Sequence, residues 1–336
     1  MKASYLESYG QPGSLQYGEM AEPVLQKNSL LVQVKAVSVN PVDWKIRQGV
    51  LKLIQGSNFP RIIGSDFAGI VKEVAPEIVD FKAGDRVYGA IPAFSNKPGA
   101  LAEIVNVHQK DVRAMPGWLS FEEAASLPIA ALTALNGLRR CGVREGTRLL
   151  VNGATGGVGH FGVQAAKAAG AHVTATCSES NSELARELGA DEVFGYKGEN
   201  TIGPGTQFDA ILDAWGMMSN KDIHRLLQPY GIYASPLYMP WTIFRAFWVR
   251  IRYGRKMTSS NMRKRAGDYD ELEALMERKK LKPVIESVYP LEKSSEAFDK
   301  AEFGKPRGKV IISDCIPSGH SVLPVEREVS RPDSED

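Results

Sequence analysis

Cysteine is scarce in this chain of 336 residues, and its scarcity excludes two kinds of site. The three cysteines, Cys141, Cys177 and Cys315, are too few and too widely spaced for a disulfide framework or a zinc site of four thiolates. We therefore expect reduced thiols and predict a cytoplasmic location.

Long apolar runs and a dominant charge are also missing. No stretch approaches the roughly 18 consecutive apolar residues that a membrane-spanning helix requires, and the first residues lack the apolar run of a secretory signal. Lys and Arg number 41 against 39 Asp and Glu, so net charge gives no reason to expect nucleic-acid binding. The hydrophobic share of 43% is that of an ordinary soluble globular protein, with attachment to a membrane surface left open.

A change of pattern along the chain predicts two units of an α/β protein. Residues 1–120 contain short β-branched runs, such as residues 30–37, that glycine and proline turns interrupt, which favours a β-rich unit. Residues 121–267 alternate apolar strands with helical segments, the pattern of a parallel sheet with helices on both faces. Residues 268–315 are predicted to return to the β-rich unit, and the polar residues 316–336 to form a disordered tail.

The strongest chemical signal is the run Ala154-Thr155-Gly156-Gly157-Val158-Gly159, which follows a predicted strand and opens a helix. This is the A-x-G-x-x-G form of the dinucleotide-binding fingerprint in its strand–turn–helix setting. Glycine lets the backbone approach a pyrophosphate, and the helix start offers unpaired N–H groups. Ala154, Gly156, Gly157 and Val158 are the candidate phosphate contacts, Ala154 being tolerable if its φ is negative. Gly159 is predicted to let the helix lie close to the sheet. A glycine-rich turn without a ligand is the alternative.

The choice of dinucleotide is predicted from the end of the second strand of this unit. An acidic side chain there would bind the ribose 2′-hydroxyl of NAD, and Cys177 stands at that position instead. Ser178, Ser180 and Asn181 offer hydrogen-bond donors to a 2′-phosphate, so NADPH is favoured over NADH. The nearby Glu179 and the lack of an arginine in this loop argue the other way.

These motifs together resemble the medium-chain dehydrogenase/reductase superfamily. The phosphate loop is preceded by Leu127-Pro128-Ile129-Ala130-Ala131-Leu132-Thr133-Ala134-Leu135 and by Gly84-Asp85-Arg86-Val87, and is followed by Gly189-Ala190-Asp191-Glu192-Val193. Asn40-Pro41-Val42-Asp43-Trp44-Lys45 and the run 171–177 bring the chain nearest to the zinc-free quinone oxidoreductase branch, with the chloroplast-envelope homologues and the alkenal or oxoene reductases.

The resemblance implies a fold and a set of cofactor contacts. It implies a GroES-like β-barrel catalytic domain, a Rossmann domain with a doubly wound parallel sheet, and NADPH bound in the cleft between them. Thr133 is then expected near the nicotinamide, and Tyr196 beside the 2′-phosphate with Ser178, Ser180 and Asn181. Lys309 in the terminal Gly308-Lys309 is a candidate cofactor contact. Packing at a strand end for Tyr196 and a plain turn at Gly308-Lys309 are the alternatives.

No metal site is predicted. Relatives that oxidise alcohols hold a catalytic zinc, but the corresponding segments here, residues 40–43 and 64–69, contain neither cysteine nor histidine. The five histidines are dispersed singly, at His108, His160, His172, His224 and His320. Without a metal to stabilise an alkoxide, the expected acceptor of hydride from NADPH is a small hydrophobic quinone or α,β-unsaturated carbonyl. A non-catalytic NADPH-binding protein with a structural or redox-sensing role is the alternative.

Four residues are candidates for orienting the acceptor and stabilising the developing enolate. Lys45 is the candidate cationic donor, near the carbonyl oxygen of the acceptor or the nicotinamide ribose, with Asn40 and Asp43 shaping the same loop. Tyr238 is a candidate hydroxyl donor or pocket wall. A solvated charge for Lys45, a turn or capping role for Asp43 and an apolar wall for Tyr238 are the open alternatives. Water is an alternative proton source.

Residues 240–267 form a basic, aromatic segment without Asp or Glu. It is consistent with peripheral contact to an anionic membrane surface or with a lid over a hydrophobic acceptor, and equally with a helix packed on the cofactor domain or on a dimer neighbour. The resemblance leaves a homodimer open.

Overall fold

The computed structural model of the protein describes residues 1–197, 200–236, 254–262 and 267–313. The predicted tail at 316–336 and most of the basic segment 240–267 lie outside the described residues. Among the described residues, no helix combines the length and the apolar character that would let it cross a membrane.

The amino-terminal part of the chain forms antiparallel sheets. Its strands are β1 Lys2–Leu6, β2 Leu15–Glu19, β3 Ser29–Ser38, β4 Arg61–Ile62, β5 Asp66–Val74, β6 Arg86–Ala90, β7 Ile104–His108 and β8 Val112–Ala114. Strands β3, β5, β6 and β8 are consecutive neighbours in the larger sheet, and β7 also pairs with β3. Strands β2, β1 and β4 form a smaller sheet. The β-branched run in β3 is buried because neighbouring strands cover it on both edges and apolar residues cover its faces.

The chain returns to this antiparallel unit near its end. The strands β15 Ile285–Tyr289 and β16 Lys309–Ser313 extend the larger sheet, and β16 pairs with β3 in antiparallel fashion. The first residue of β16, Lys309, thereby reaches the interior beside the end of β3.

The middle of the chain forms a parallel sheet. Its strands are β9 Arg148–Asn152, β10 His172–Cys177, β11 Glu192–Gly195, β12 Phe208–Asp213, β13 Leu227–Ser235 and β14 Lys256–Ser259, in the order β11-β10-β9-β12-β13-β14. All neighbouring pairs are parallel. In β9, Leu149 and Val151 pack into one apolar cluster while Leu150 packs into another, so both faces of the sheet are covered. The predicted doubly wound parallel sheet is confirmed.

Helices cover the sheets and connect the two units. Those in the described part are α1 Pro41–Arg47, α2 Lys52–Gln55, α3 Phe121–Ser126, α4 Pro128–Cys141, α5 Gly159–Ala168, α6 Ser182–Glu187, α7 Asn220–Leu226, α8 Asp268–Glu277 and α9 Ser294–Phe303. Ser120 caps α3 in a reciprocal pair of hydrogen bonds with Glu123. Helix α3 packs on β3 and β5, whereas α4 packs on α5 and β13, so this helix pair joins the units.

The strand order positions the ligand crevice. From β9 the chain proceeds to β10 and β11 on one side, whereas β12 lies on the other side of β9. In open parallel sheets ligands bind beyond the carboxyl ends of the strands at such a reversal. The loops after β9, β10 and β12 are therefore where a cofactor site is expected.

Candidate functional site

The loop after β9 is built as a tight turn that joins strand to helix. Gly153 adopts a φ of 80°, a left-handed conformation that favours glycine, whereas Ala154 is buried without a positive φ, as the sequence required. The N–H groups of Gly153 and Ala154 both donate to the carbonyl of Thr176, at 3.0 Å each, which ties the loop to the end of β10.

Two glycines allow the helix after this loop to approach its surroundings. A Cβ on Gly159 would lie 2.0 Å from the carbonyl oxygen of Gly153, so a side chain there would collide with the loop. A Cβ on Gly162 would lie 2.7 Å from Cδ2 of Leu212 in β12. The contact that Gly159 permits is therefore with its own loop, and Gly162 makes the predicted close approach to the sheet.

The loop has the features that a pyrophosphate needs. Among the described residues, no backbone hydrogen bond uses the N–H of Gly157 or of Val158, which precede α5. Unpaired N–H groups at a helix start favour phosphate oxygens. A Cβ on Gly157 would lie 3.4 Å from Cδ of Lys309, so this position is close to the end of the β-rich unit without being crowded. Gly157 and Val158 therefore suit a phosphate, whereas the N–H groups of Ala154 and Gly156 already donate to the carbonyls of Thr176 and Gly153.

The residues predicted for the ribose side lie at the carboxyl ends of β10 and β11. Ser178 and Ser180 are exposed, with their hydroxyl oxygens 3.4 Å apart. The side-chain amide of Asn181 donates to Oγ1 of Thr155 at 3.3 Å, which connects this segment with the phosphate loop. Tyr196 is exposed one residue after β11. The structure therefore brings these four residues to the same edge of the sheet as the phosphate loop.

Trp215 is a residue at this edge that sequence reasoning missed. Its indole is exposed, and its ring centroid lies 5.9 Å from that of Tyr196. A Cβ on Gly153 would lie 3.4 Å from Cβ of Trp215, so the two aromatic rings flank the phosphate loop. The available signal was its position two residues after β12, at the sheet edge where ligands bind.

A buried carboxylate, Asp213, holds the segment that carries Trp215. Asp213 accepts hydrogen bonds from the Asn152 side chain at 2.7 Å, from the Tyr233 hydroxyl at 2.6 Å, and from the N–H groups of Gly216 and Met218 at 2.9 Å each. It thereby joins the ends of three neighbouring strands to the loop after β12. This residue was also missed in the sequence, where it is an unremarkable strand end.

The remaining predicted residues are placed as follows. Thr133 lies buried in α4. Lys45 lies in the last turn of α1, half-buried, and among the described residues its ammonium has no hydrogen bond or ion pair. Burial lowers the pKa of Lys45. Tyr238 lies outside the described residues.

Asn40, Asp43 and Lys309 are brought together in a buried polar cluster. Nζ of Lys309 donates to Oδ1 of Asn40 at 2.6 Å, and Nδ2 of Asn40 donates to Oδ2 of Asp66 at 2.9 Å. The Asp43 carboxylate accepts from the N–H of Asn40 at 2.8 Å and from the hydroxyl of Ser65 at 2.6 Å. The ammonium of Lys309 therefore makes its hydrogen bonds within the protein interior. We call Asn40, Asp43, Ser65, Asp66 and Lys309 the buried cluster.

Burial and charge act in opposite directions on the carboxyls of this cluster. Burial raises the pKa of Asp43 to about 6, against the effect of its hydrogen bonds from Ser65 and Asn40 and of the Lys309 charge. Burial likewise raises the pKa of Asp66, whereas Lys309 and the Asn40 amide lower it. Burial lowers the pKa of Lys309, and the carboxylates of Asp66 and Asp43 oppose that effect.

Two parts of the chain match known protein families. Residues 26–117 match the alcohol dehydrogenase GroES-like domain, and residues 188–312 match the zinc-binding dehydrogenase family. The predicted GroES-like unit is therefore confirmed, beside the parallel sheet described above.

Similarity to known proteins extends over nearly the whole chain. The mitochondrial NAD(P)H oxidoreductase RTN4IP1 of Bos taurus is 34% identical, and the alignment covers 93% of this chain and 89% of that protein. The chloroplastic quinone-oxidoreductase homolog of Spinacia oleracea is 32% identical over 90% of this chain and 95% of its own length. The 2-methylene-furan-3-one reductase of Solanum lycopersicum is 33% identical over 93% of this chain and 79% of its own length.

A solved structure agrees with this similarity. The quinone oxidoreductase from Coxiella burnetii superposes with a TM-score of 0.86 at 30% identity, covering 93% of this chain and 99% of that one. The resemblance inferred from the motifs is therefore confirmed at the level of the whole chain.

One prediction from the sequence is wrong. The similar proteins named above include mitochondrial and chloroplastic ones, which contradicts the cytoplasmic location predicted from the small number of cysteines. A small number of cysteines indicates reducing conditions, and reducing conditions are not specific to one compartment. Peripheral membrane contact and a homodimer stay predictions.

The residues of the buried cluster do not suit a zinc ion, which the name of the zinc-binding dehydrogenase family implies. The side chains here are two carboxylates, an amide and a hydroxyl, and a buried ammonium already lies among them. Zinc in proteins prefers histidine nitrogen and cysteine sulfur beside carboxylate oxygen. Within the described residues, no group of three or more His, Cys, Asp or Glu side chains is arranged to hold a metal ion.

Proposed function

The chain belongs to the medium-chain dehydrogenase/reductase superfamily and is an oxidoreductase with a nicotinamide cofactor, and on that premise we propose a more specific activity. It is a zinc-independent, NADPH-dependent reductase that transfers hydride to a quinone or to the activated C=C bond of an α,β-unsaturated carbonyl. The names of the similar proteins, which include quinone oxidoreductases and a furanone reductase, support both acceptor classes.

The observation that carries this proposal is the phosphate loop between β9 and α5. Its unpaired N–H groups at Gly157 and Val158, and the close approach that Gly159 allows, suit a pyrophosphate. The loop lies at the point where the strand order reverses, which is where dinucleotides bind in such sheets.

Preference for NADPH rests on the segment after β10. Hydroxyl and amide donors at Ser178, Ser180 and Asn181 face the same sheet edge as Tyr196, and Cys177 leaves the strand end without a carboxylate. A 2′-phosphate would gain charge-assisted hydrogen bonds there. Trp215 and Tyr196 offer aromatic surface for the adenine of the same cofactor.

The protein contributes orientation and electrostatics to the reaction. When bound, NADPH would supply hydride from C4 of its nicotinamide to the β-carbon of an enone or to a quinone, and a proton from solvent would complete the two-electron reduction. The Lys45 ammonium, half-buried and without another partner among the described residues, is the donor that stabilises negative charge on the acceptor oxygen. Thr133, buried in α4, would contact the nicotinamide when the cofactor is bound.

Exposed apolar side chains on the segment after α1 suit a hydrophobic acceptor. Val50, Leu53 and Ile54 follow α1 directly and are exposed, with Leu53 at 95%. Phe94 is exposed in the neighbouring loop, where the amide of Gln55 donates to the carbonyl of Ala93. Exposed apolar residues grouped in this way are typical of a binding surface.

Turnover of a panel of acceptors tests the proposed activity. Purified protein should oxidise NADPH in the presence of quinones, enals or enones, followed by absorbance of the reduced nicotinamide, and more efficiently than it oxidises NADH. Binding of NADPH without turnover across the panel would contradict a reductase and favour the non-catalytic alternative. Efficient turnover with NADH alone would contradict the cofactor assignment.

A charge at Ser178 should change cofactor preference. Ser178→Asp places a carboxylate where the 2′-phosphate is proposed to lie, so we expect the KM for NADPH to rise about tenfold, or ~1.4 kcal/mol, with that for NADH unchanged. Ser178→Asn is the matched control, with similar shape and no charge, and should alter both values little. Equal effects of Ser178→Asp on NADPH and NADH would contradict the placement of the 2′-phosphate.

A further inference from the structure

Lys309 is a lysine in an unusual environment. Its side chain is only 3% exposed, and its ammonium donates to the Asn40 side-chain oxygen at 2.6 Å and to the Val39 carbonyl at 3.3 Å. A buried ammonium is costly unless hydrogen bonds and opposite charge compensate it. The groups that compensate the charge of Lys309 therefore indicate the role of this residue.

The opposite charge comes from Asp66 and Asp43, which are both completely buried. The amide of Asn40 lies between the ammonium and Asp66, since it accepts from Lys309 and donates to Oδ2 of Asp66 at 2.9 Å. Asp66 also accepts from the N–H of Ile129 in the first turn of α4, at 3.2 Å. The lysine therefore fixes the orientation of one amide that connects β3, β5 and α4.

The buried cluster also determines where α1 begins. The Asp43 carboxylate accepts from the N–H of Asn40, the residue before α1, and from Ser65, the residue before β5. Lys45 follows two residues after Asp43 in this short helix. The helix that carries Lys45 therefore starts beside Asn40, whose side chain accepts from Lys309 and whose N–H donates to Asp43.

The stem of Lys309 lies against the phosphate loop. The N–H of Gly308 donates to the carbonyl of Thr155 at 2.8 Å, and a Cβ on Gly157 would lie 3.4 Å from Cδ of Lys309. One side chain therefore contacts both the loop proposed for the cofactor and the loop proposed for the acceptor.

Two further ionisable groups face the buried cluster. His160, in the first turn of α5, is completely buried; its Nδ1 contacts the carbonyl of Gly156 at 2.9 Å. Burial, with the Lys309 charge as a smaller cause, lowers the pKa of His160 to about 4, so it is neutral at pH 7. Burial and the charge of Asp66 raise the pKa of Tyr269 from α8, so it is neutral as well.

We propose that Lys309 is a positioning residue for hydride transfer, whose ammonium is the resident cation of the buried cluster in place of a metal ion. It holds Asn40, and through Asp43 the start of α1, in a fixed relation to the phosphate loop. This inference rests on the proposed function for its kinetic consequence. The exclusion of a divalent cation follows from the cluster alone.

Lys309→Met tests the proposal because it removes the charge and keeps the stem against Gly157. Without the ammonium, the carboxylates of Asp43 and Asp66 bind protons at a higher pH. We therefore expect the acid limb of the pH profile of kcat to move up by about one pH unit or more. We expect the Kd for NADPH to stay unchanged. A rise in Kd with an unmoved pH profile would indicate a direct cofactor contact and overturn the proposal.

Two further variants distinguish this role from loss of packing. Lys309→Met combined with Asp66→Asn removes one charge of each sign, so the acid limb should return part of the way towards that of the wild type. Lys110→Met, at an exposed lysine, should leave the profile in place. An identical profile in the single and double variants would show that charge pairing with Asp66 is not the cause.

Unfolding and metal content test the proposal without turnover. Because the pKa values of Asp43 and Asp66 are raised, both carboxyls are protonated in acid. In acid, therefore, no negative charge in the cluster depends on the ammonium of Lys309. The loss of stability in Lys309→Met, measured by urea unfolding, should therefore be small at pH 4 and larger at pH 8. A loss of stability that does not depend on pH would overturn the proposal. Zinc retained in stoichiometric amount by the wild type, after incubation with zinc and gel filtration, would overturn it as well. If the wild type shows no turnover, the proposed function fails while these two measurements still decide the role of Lys309.

Discussion

Replacing Gly157 with aspartate is expected to weaken NADPH binding about 100-fold, or ~2.7 kcal/mol, while the protein stays folded. The new carboxylate would lie beside the unpaired N–H groups of Gly157 and Val158, where the pyrophosphate is proposed to bind. Its negative charge would repel the phosphates and compete for the same donors. Fluorescence titration with NADPH measures the change, and circular dichroism verifies the fold.

The control for this variant separates charge from size. The heavy atom nearest to a Cβ on Gly157 would be Cδ of Lys309 at 3.4 Å, an ordinary contact distance, so the protein itself leaves room for a side chain. Gly157→Asn has nearly the same shape as the aspartate variant without its charge, so it should bind NADPH more tightly than Gly157→Asp, and the difference between the two measures the charge repulsion. Wild-type affinity in Gly157→Asp would show that the cofactor does not bind at this loop.

Replacing Asp213 with alanine is expected to cost about 4 kcal/mol of unfolding free energy, since several buried hydrogen-bond donors lose a charged acceptor. The donors are the Asn152 amide, the Tyr233 hydroxyl and the N–H groups of Gly216 and Met218. The midpoint of thermal unfolding should fall by roughly 6 °C. NADPH affinity should fall too, because the segment that carries Trp215 loses its anchor.

Asp80→Ala is the control for the loss of stability expected in Asp213→Ala. Asp80 is exposed, and substitutions at such positions usually change stability by less than about 0.5 kcal/mol. Differential scanning calorimetry of both variants gives the difference directly. An equal, small effect at the two positions would contradict the role assigned to Asp213.

The phosphate loop could be predicted from the sequence because its determinants are local. The strand, the glycine turn and the helix lie within about 20 consecutive residues, in a pattern whose physical reasons are local. Local alternation of strands and helices likewise predicted the parallel sheet. The position of residues Ser178 to Asn181 at the sheet edge could be predicted for the same reason, because they directly follow β10.

The buried cluster could not be predicted in the same way. Lys309 and Asn40 are 269 positions apart, and only the pairing of β16 with β3 brings them together. Asp66 begins β5 beside apolar residues, and a sequence does not reveal which distant cation compensates it. Lys309 was identified by resemblance as a candidate cofactor contact, whereas its ammonium is directed to Asn40. Strand pairing between distant segments therefore limited the prediction of its partners.

Transfer of deuterium from labelled NADPH to an enone measures the central claim most directly. With NADPH deuterated on either face of C4, we expect one of the two labels to appear at the β-carbon of the saturated product, detected by mass spectrometry and NMR. An enone is preferable to a quinone, because hydrogen on a hydroquinone oxygen exchanges with water. Product without deuterium at the β-carbon from either labelled cofactor, or no consumption of NADPH with any enone or quinone, would contradict the account.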